Sequence, residues 1–355
     1  MQIFCIFSNE KFNCNRPAGG ILAKTGKSNA LTEVRGILVG HFTDTRAVSG
    51  VTAVVCPTGA VAGVDVRGSA PGTRETDLMA PHNLIEKAQA VVLSGGSVFG
   101  LSAADGVTRW LAAKGYGFPL GQGHVVPIVP AAVLYDLGRG ANFTPPIDAD
   151  WGHRACEEAS DDPPETGNVG AGTGAFSYSI KGGLGQASLI LDAGITVAAL
   201  VAVNSVGSVI NPDSGRPWEI GLEVDGEFGD RGKRAVRLPA PPAPEPAKNT
   251  TIGVIATDAS LSAAQAQKVA QMAHDGMARA IRPAHTMFDG DTIFCLATGK
   301  KELPNQHEIF MDPQALFLNE LGDAAANCMT RAIIHAILNA GSLAGMTAFC
   351  DLENL

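Results

Sequence analysis

Pro246-Ala247-Lys248-Asn249-Thr250-Thr251-Ile252-Gly253-Val254-Ile255-Ala256 is the stretch on which the reading of this chain turns. A proline-rich segment runs straight into an apolar, β-branched run, with a hydroxyl residue at the junction. Leu238 to Pro246 holds five prolines. Proline removes backbone donors and prevents strand pairing, so this segment reads as an exposed linker. The run after it reads as a strand. Taken alone, Asn-Thr-Thr before a strand is an ordinary turn. A chain cut between Asn249 and Thr250 would instead place a free threonine amine at the tip of a rigid strand. An α-amine titrates near ~8, so it can accept a hydroxyl proton at neutral pH. Such a threonine carries both its nucleophile and its base.

Working outward, the order after the junction is simple. A strand at 250–257 precedes a helix beginning near Ser262, where Ser262-Ala263-Ala264-Gln265 is a capping-box pattern. Val269, Met272, Ala273, Met277 and Ile281 give that helix its apolar face. A strand follows at 291–297. The last helix is expected from Asp312-Pro313, a cap residue followed by proline, with Phe317, Leu321, Ala325, Cys328 and Ile333 as its buried stripe. Before the junction, short β-rich runs fall at 37–39, 51–56, 60–66, 90–93, 131–137, 187–191 and 195–203, and a helix runs through Trp110 and Leu111. Strands and helices mix without strict βαβ alternation. The expectation is an α+β fold of layered helices and largely antiparallel sheet. Residues 1–33 lack periodicity and read as an N-terminal extension, flexible or an unused upstream start. Residues 34–249 and 250–355 read as two parts of one domain.

Composition narrows the function. The chain has 355 residues, 45% hydrophobic and 17% charged, with a net charge of −9. No basic stripe is present, which argues against nucleic acid as a partner, since phosphate binding needs clustered Lys and Arg. The seven cysteines are scattered without a Cys-x-x-Cys pair. Cys56, Cys295 and Cys328 fall in apolar patterns and read as core thiols, as in a reducing cytoplasm. No apolar run approaches the ~20 residues of a membrane helix.

Four positions carry polar groups that a folded core must justify. Asp289-Gly290-Asp291 puts two carboxylates on one tight turn, which repel unless a cation is near. An N-terminal amine would serve, and the acids could orient it; an Asp-Gly turn is the plainer alternative. Asn204, closing the apolar run Val201-Ala202-Val203, could donate its amide to an oxyanion or simply end a strand. Lys181, in Ile180-Lys181-Gly182-Gly183, is ordinarily a solvated charge, but in a pocket it could hold negative charge. Tyr135 lies inside the expected strand Val133 to Leu137, where a tyrosine usually packs with its hydroxyl satisfied. Gly167 to Gly174 resembles a dinucleotide glycine loop but lacks the strand before it and the helix after it, so no nucleotide cofactor is expected. Ser94-Gly95-Gly96-Ser97 links a strand to a helix, and its amides could face a cleft. The eight histidines show no metal-ligand spacing. His285, beside the acidic turn, reads equally as structural or catalytic.

Several segments together resemble the DmpA-like L-aminopeptidase/D-esterase family, which includes β-peptidyl aminopeptidases and a 6-aminohexanoate (nylon) oligomer hydrolase. They are Asp65-Val66-Arg67-Gly68-Ser69-Ala70-Pro71-Gly72-Thr73-Arg74-Glu75-Thr76-Asp77, Ser94 to Ser97, Val133 to Asp136, Lys181 to Gly183, Val203-Asn204, Asn249 to Ile252, and His285-Thr286 through Asp289 to Thr292. They span roughly 34 to 340 in the family's order. The resemblance implies a four-layer αββα sandwich and one self-inflicted cut at Asn249/Thr250. The two chains would stay together, typically as tetramers of αβ units. It also implies site roles. Thr250 is the nucleophile, Asp289 and Asp291 orient its amine and hydroxyl, Asn204 helps form the oxyanion hole, and Lys181 and Tyr135 line the site. Many aminopeptidases of the family carry Gly-Ser at the cut and Ser and Glu at the acidic turn. This chain has Asn-Thr and two Asp, as the nylon-oligomer hydrolase does. No cofactor or metal is implied, and the substrate would be a small peptide or amide.

The expected activity is therefore that of a self-processing N-terminal-threonine amidohydrolase, an aminopeptidase on short peptides or amides. An endo-acting hydrolase of 6-aminohexanoate oligomers is the alternative within this class. Acyl transfer of the ornithine-acetyltransferase kind, which also follows a cut before Thr, would pass the acyl group to an amine instead of water. A binding protein on the same fold would keep its properties without the Thr250 hydroxyl.

Overall fold

The computed structural model describes residues 24–241, 249–303 and 313–355. The expected cap at Asp312 and the cysteines Cys5 and Cys14 lie outside the described residues. The strands before the linker are β1 (Leu38–Asp44), β2 (Ser49–Val66), β3 (Gly72–Arg74), β4 (Lys87–Ser94), β5 (Phe118–Gly121), β6 (His124–Val126), β7 (Ala131–Val133), β8 (Phe176–Ser177), β9 (Ile180–Lys181), β10 (Gly183–Ile190) and β11 (Thr196–Asn204). After it come β12 (Thr250–Ala259) and β13 (Thr292–Lys301). The helices are α1 (Ala103–Ala113), α2 (Ala149–Glu157), α3 (Gly229–Lys233), α4 (Ala263–Ala280) and α5 (Pro313–Leu338).

One hydrogen-bonded sheet runs β10-β11-β12-β13-β2-β4-β7-β3, with β1 added to β2. It becomes two layers because β2 serves both. Val61 to Val66 pair with β13, whereas Val51 to Val55 pair with β4, with a register break between Val55 and Ala60. Alternation of side chains then builds three cores. Val197, Ala199, Val201 and Val203 of β11 face α4 and α5. Ala198, Leu200 and Ala202, with Ile252, Val254 and Ala256 of β12, face Val54, Cys56, Val91 and Leu93 across the gap between layers. Val51, Ala53, Val55, Ala90 and Val92 face α1 and α2. The order is helix, sheet, sheet, helix.

Local chemistry explains several elements. Ser262 caps α4 as expected: its hydroxyl accepts from the Gln265 N–H, and the Gln265 side chain returns to the Ser262 N–H. β12 is buried along its whole length, central between β11 and β13, which suits its Val, Ile and Thr content. Cys56, Cys295 and Cys328 are buried thiols. Two expectations change. The runs at 51–56 and 60–66 are one strand, because the turn-like Pro57-Thr58-Gly59 bulges and does not reverse the chain. The strand expected at 131–137 stops at Val133, because Asp136 turns to buried donors described below. Sequence reading also passed over α2. From Lys24 onward the N-terminal stretch packs on β10: Lys24 bridges Ile190, Leu31 N–H donates to Gln186 Oε1, and the Leu31 side chain is buried.

Candidate active site

Thr250 opens β12, and its position in the pleat decides what its side chain meets. Ile252, Val254 and Ala256 point between the layers, so Thr250, two residues earlier, points the same way. Asn204 is its register partner on β11. Both side chains are buried. The Thr250 hydroxyl donates to the Asn249 carbonyl at 2.5 Å. Thus the hydroxyl lies against the carbonyl group of the bond at the junction.

On the other side of β12, the acidic turn holds the strand end. Asn249 forms a parallel bridge with Asp289. Asp291 Oδ1 accepts the Thr251 N–H at 2.7 Å. Its Oδ2 accepts from the His285 N–H at 3.1 Å and from the His285 ring Nδ1 at 2.8 Å. Asp289 Oδ2 accepts from the Thr286 N–H and hydroxyl at 2.8 and 2.6 Å, and its Oδ1 from the Val206 N–H at 3.3 Å. Burial raises the Asp289 pKa above the usual carboxylate range, and the charge of Asp291 adds to it; the Thr286 donors pull the other way.

The loop after β2 fastens this turn from outside. Arg67 and Gly68 N–H groups donate to the Asp291 carbonyl, and Ala70 N–H to the Asp289 carbonyl. Gly68 has no side chain for a reason of space. A Cβ there would lie 2.2 Å from the Asp291 nitrogen and 2.4 Å from the Asp289 oxygen.

Asn204 is held by its acceptor end. Oδ1 accepts from Phe176 N–H at 2.9 Å and from Arg139 Nη1 at 2.6 Å, while Nδ2 donates to the Tyr135 carbonyl at 3.2 Å. Tyr135 is half-buried in the loop after β7. Lys181, which read either as a solvated charge or as a residue lining the site, is fully buried. Its Nζ donates to the Gly172 and Gly182 carbonyls at 3.0 and 2.8 Å. Burial pushes its pKa down to about 7, Arg139 pushes the same way, and Asp136 partly opposes them. The glycine-rich 167–174 loop supplies this lysine with one of its two carbonyls.

The Ser94-to-Ser97 amides do not face an open cleft. Gly96 N–H donates to Asp136 Oδ1 at 2.6 Å, Gly95 N–H to the Gly50 carbonyl and Ser97 N–H to the Leu134 carbonyl. Asp136 Oδ2 accepts from the Ser49 hydroxyl at 2.7 Å, and burial raises the Asp136 pKa. Sequence reading missed three participants. Asp136 sits in a loop that read as strand, and Arg139 follows just beyond that run, its signal a lone Arg flanked by glycines. His274 lies on the apolar stripe of α4, and a polar residue on such a stripe was the signal. It is fully buried, its ring Nε2 is 3.0 Å from the Asp65 carbonyl, and its ring meets that of His285 edge-on at 4.9 Å. Burial lowers its pKa to about 4. Among the described residues no group of three His, Cys, Asp or Glu side chains could hold a metal ion. Among them, too, no helix is long and apolar enough to cross a membrane.

The family model for peptidase family S58 matches residues 29–349. The chain belongs to peptidase family S58. It is 45% identical over 350 residues to an uncharacterized aminopeptidase of Mycobacterium leprae, covering 91% of this chain and 94% of that one. It is 28% identical over 326 residues to the 6-aminohexanoate-oligomer endohydrolase of a Kocuria strain, covering 88% and 87%. Among solved structures, a Burkholderia β-aminopeptidase superposes with a TM-score of 0.66 at 25% identity over 92% of both chains. The L-aminopeptidase D-Ala-esterase/amidase of Ochrobactrum anthropi, described as a variant of the Ntn-hydrolase fold, superposes with a TM-score of 0.67 at 22% identity over 93% and 92%. The αββα fold is thus that of the DmpA-type aminopeptidases, as the sequence segments implied, and this member of peptidase family S58 is an amide-bond hydrolase.

Proposed function

We propose that the chain cuts itself between Asn249 and Thr250, and that the freed Thr250 hydrolyses amides as an aminopeptidase on short peptides. The observation that carries this reading is the Thr250 hydroxyl against the Asn249 carbonyl, 2.5 Å from its oxygen, at a strand end held by Asp289 and Asp291. In the first reaction Thr250 Oγ1 attacks the Asn249 carbonyl carbon. The C–N bond breaks, an ester joins Oγ1 to Asn249, and the nitrogen becomes the Thr250 α-amine. Water hydrolyses the ester, releasing the Asn249 carboxylate. In the second reaction the α-amine takes the hydroxyl proton as Oγ1 attacks a substrate amide, then passes it to the leaving amine. Water frees the acyl group. Asn204 would donate to the oxyanion, Asp289 and Asp291 would orient the amine, and Lys181 and Tyr135 would line the site.

The test is the mass of the denatured protein beside Thr250→Ala. Two fragments meeting at Asn249/Thr250 in the wild type, and one intact chain in the variant, are expected. An intact wild-type chain that hydrolyses amides, or a fully active variant, would remove Thr250 from the role.

A second reading, endo-hydrolysis of 6-aminohexanoate oligomers, is favoured by one observation. An aminopeptidase holds the free ammonium of its substrate, and the buried carboxylates described above are already engaged: Asp136, Asp289 and Asp291 each accept at both oxygens. Peptide amides with free and with acetylated amino ends separate the two. Loss of turnover on acetylation supports the aminopeptidase, and indifference supports the endo-hydrolase.

A further inference from the structure

The chemistry above leaves Arg139 without a part, although it touches the proposed oxyanion donor. Its Nη1 donates to Asn204 Oδ1 at 2.6 Å and also to the Gly174 carbonyl. Phe176 N–H donates to the same Asn204 oxygen at 2.9 Å. Neither a guanidinium nor a backbone N–H can accept a hydrogen bond. A side-chain amide has one accepting end and one donating end, and the partners decide which is which. Two obligate donors on one end leave the other as NH₂. Asn204 cannot turn over without facing N–H against N–H in a fully buried place, where an unpaired polar group is costly.

This arrangement bears on Thr250 because Asn204 is its register partner, with both side chains on the face between the layers. We propose that Arg139 is a positioning residue for this reaction, locking the Asn204 amide so that its NH₂ end serves the carbonyl attacked by Thr250. The inference rests on the reading of Thr250 as nucleophile and Asn204 as oxyanion donor. Without Arg139 the amide keeps only uncharged partners, the Phe176 N–H on its oxygen and the Tyr135 carbonyl on its nitrogen, and a charge-assisted bond is roughly twice as strong as such a bond. Asp136, three residues earlier, places an opposite charge near the guanidinium, and the Phe176 ring lies 5.8 Å from its carbon. Both restrain the arginine whose direction sets that of Asn204.

The experiment is a double-mutant cycle on self-cleavage, followed by mass in freshly synthesised full-length chain. Self-cleavage is intramolecular, so no substrate affinity enters. Asn204→Ala should slow it by roughly 10²–10³-fold, the worth of one oxyanion donor. Arg139→Ala should slow it about 10–10²-fold through loss of that donor's orientation. In the Asn204→Ala background the arginine has nothing left to orient. Removing it there should cost less than about 3-fold, since independent sites would instead add in free energy. Added guanidinium at sub-denaturing concentration should restore the Arg139→Ala rate in part and leave the Asn204→Ala rate unchanged. Arg139→Gln, which keeps volume and one donor, carries the same cycle if the alanine variant fails to fold. Full additivity of the two losses, or a wild-type rate in folded Arg139 variants, would overturn the positioning role while leaving self-cleavage standing. A wild-type chain that is never cut would overturn the underlying reading and the inference with it.

Discussion

The burial of Lys181 makes a prediction that needs no substrate. Its Nζ meets only the Gly172 and Gly182 carbonyls among the described residues, and it is fully buried. Its pKa is pushed down to about 7 from 10.5, chiefly by burial. Above both values the amine is neutral folded and unfolded, and contributes nothing. Between about 7 and 10.5 the unfolded chain holds a proton that the folded chain does not, so stability falls as pH drops. Below about 7 both states hold it and the loss is constant. At about 1.4 kcal/mol per pH unit, the whole drop is roughly 4–5 kcal/mol. Lys181→Met keeps the chain length and removes the titration. Both proteins should carry Thr250→Ala, so that neither changes its covalent state. Urea melts at pH 7, 8, 9 and 10 then give the difference. Relative to K181M, the lysine protein should gain roughly 1.4 kcal/mol for each unit of rising pH, about 4 kcal/mol over the range. The two carbonyls that lose their donor add a cost of about 1–3 kcal/mol each to K181M, but that cost does not vary with pH. A flat difference would refute the reasoning, since it would mean a lysine that keeps its charge in the fold.

Asp291→Asn should slow self-cleavage by at least tenfold, because asparagine cannot accept from Thr251 N–H and both His285 donors together, and one stranded donor costs about 1–3 kcal/mol. A wild-type rate by mass would move the orienting role elsewhere. Gly68→Ala should displace the acidic turn, since the new methyl would press on backbone atoms of Asp289 and Asp291. Overpacking of this kind costs about 1–3 kcal/mol. The melting temperature and the cleavage rate should both fall, and an unchanged rate in folded protein would show that the turn tolerates movement.

Much of this site was legible because the residues that mark it break a local rule. Proline against a β-branched run flagged Asn249/Thr250, and paired carboxylates on a glycine turn flagged Asp289 and Asp291. The Ser262 capping box and the buried stripe of α4 follow from local chemistry alone, and the structure shows both. Lys181 read both as a solvated charge and as a residue lining the site; its full burial was not legible, because the Gly172 and Gly182 carbonyls that take its ammonium and the Thr347 carbonyl that takes its N–H are brought there by the fold. Tyr135 was placed in a strand because Ala131 to Leu137 is uniformly apolar apart from Tyr135 and Asp136. What ends the strand is Asp136 reaching Ser49 and Gly96, contacts that span 87 and 40 residues. No period in a sequence encodes such a partner. The sharing of β2 between two layers is equally silent, because each half alternates normally and only the bulge at Pro57 to Gly59 separates them.

The two sides of β12 lead to one last expectation. In the uncut chain Thr250 nitrogen is a neutral amide, and Asp289 stands beside Asn249 with its pKa raised by burial and by Asp291. The proposed cleavage would replace that amide by an amine at the same strand end, which Asp291 on Thr251 N–H and the β11 register hold in the uncut chain. Once the Asn249 carboxylate has left, a new positive charge faces two carboxylates, and a nearby opposite charge favours the ionised acid. The Asp289 pKa should therefore fall on maturation. The same carboxylates hold the proton on the amine, which must be neutral to act as base, so the acid limb of amide turnover, measured as kcat so that free substrate ionisation does not intrude, should lie above that of self-cleavage. Coincident limbs, or the reverse order, would mean that the new amine does not sit with the acidic turn, and the base assigned to Thr250 would need another partner.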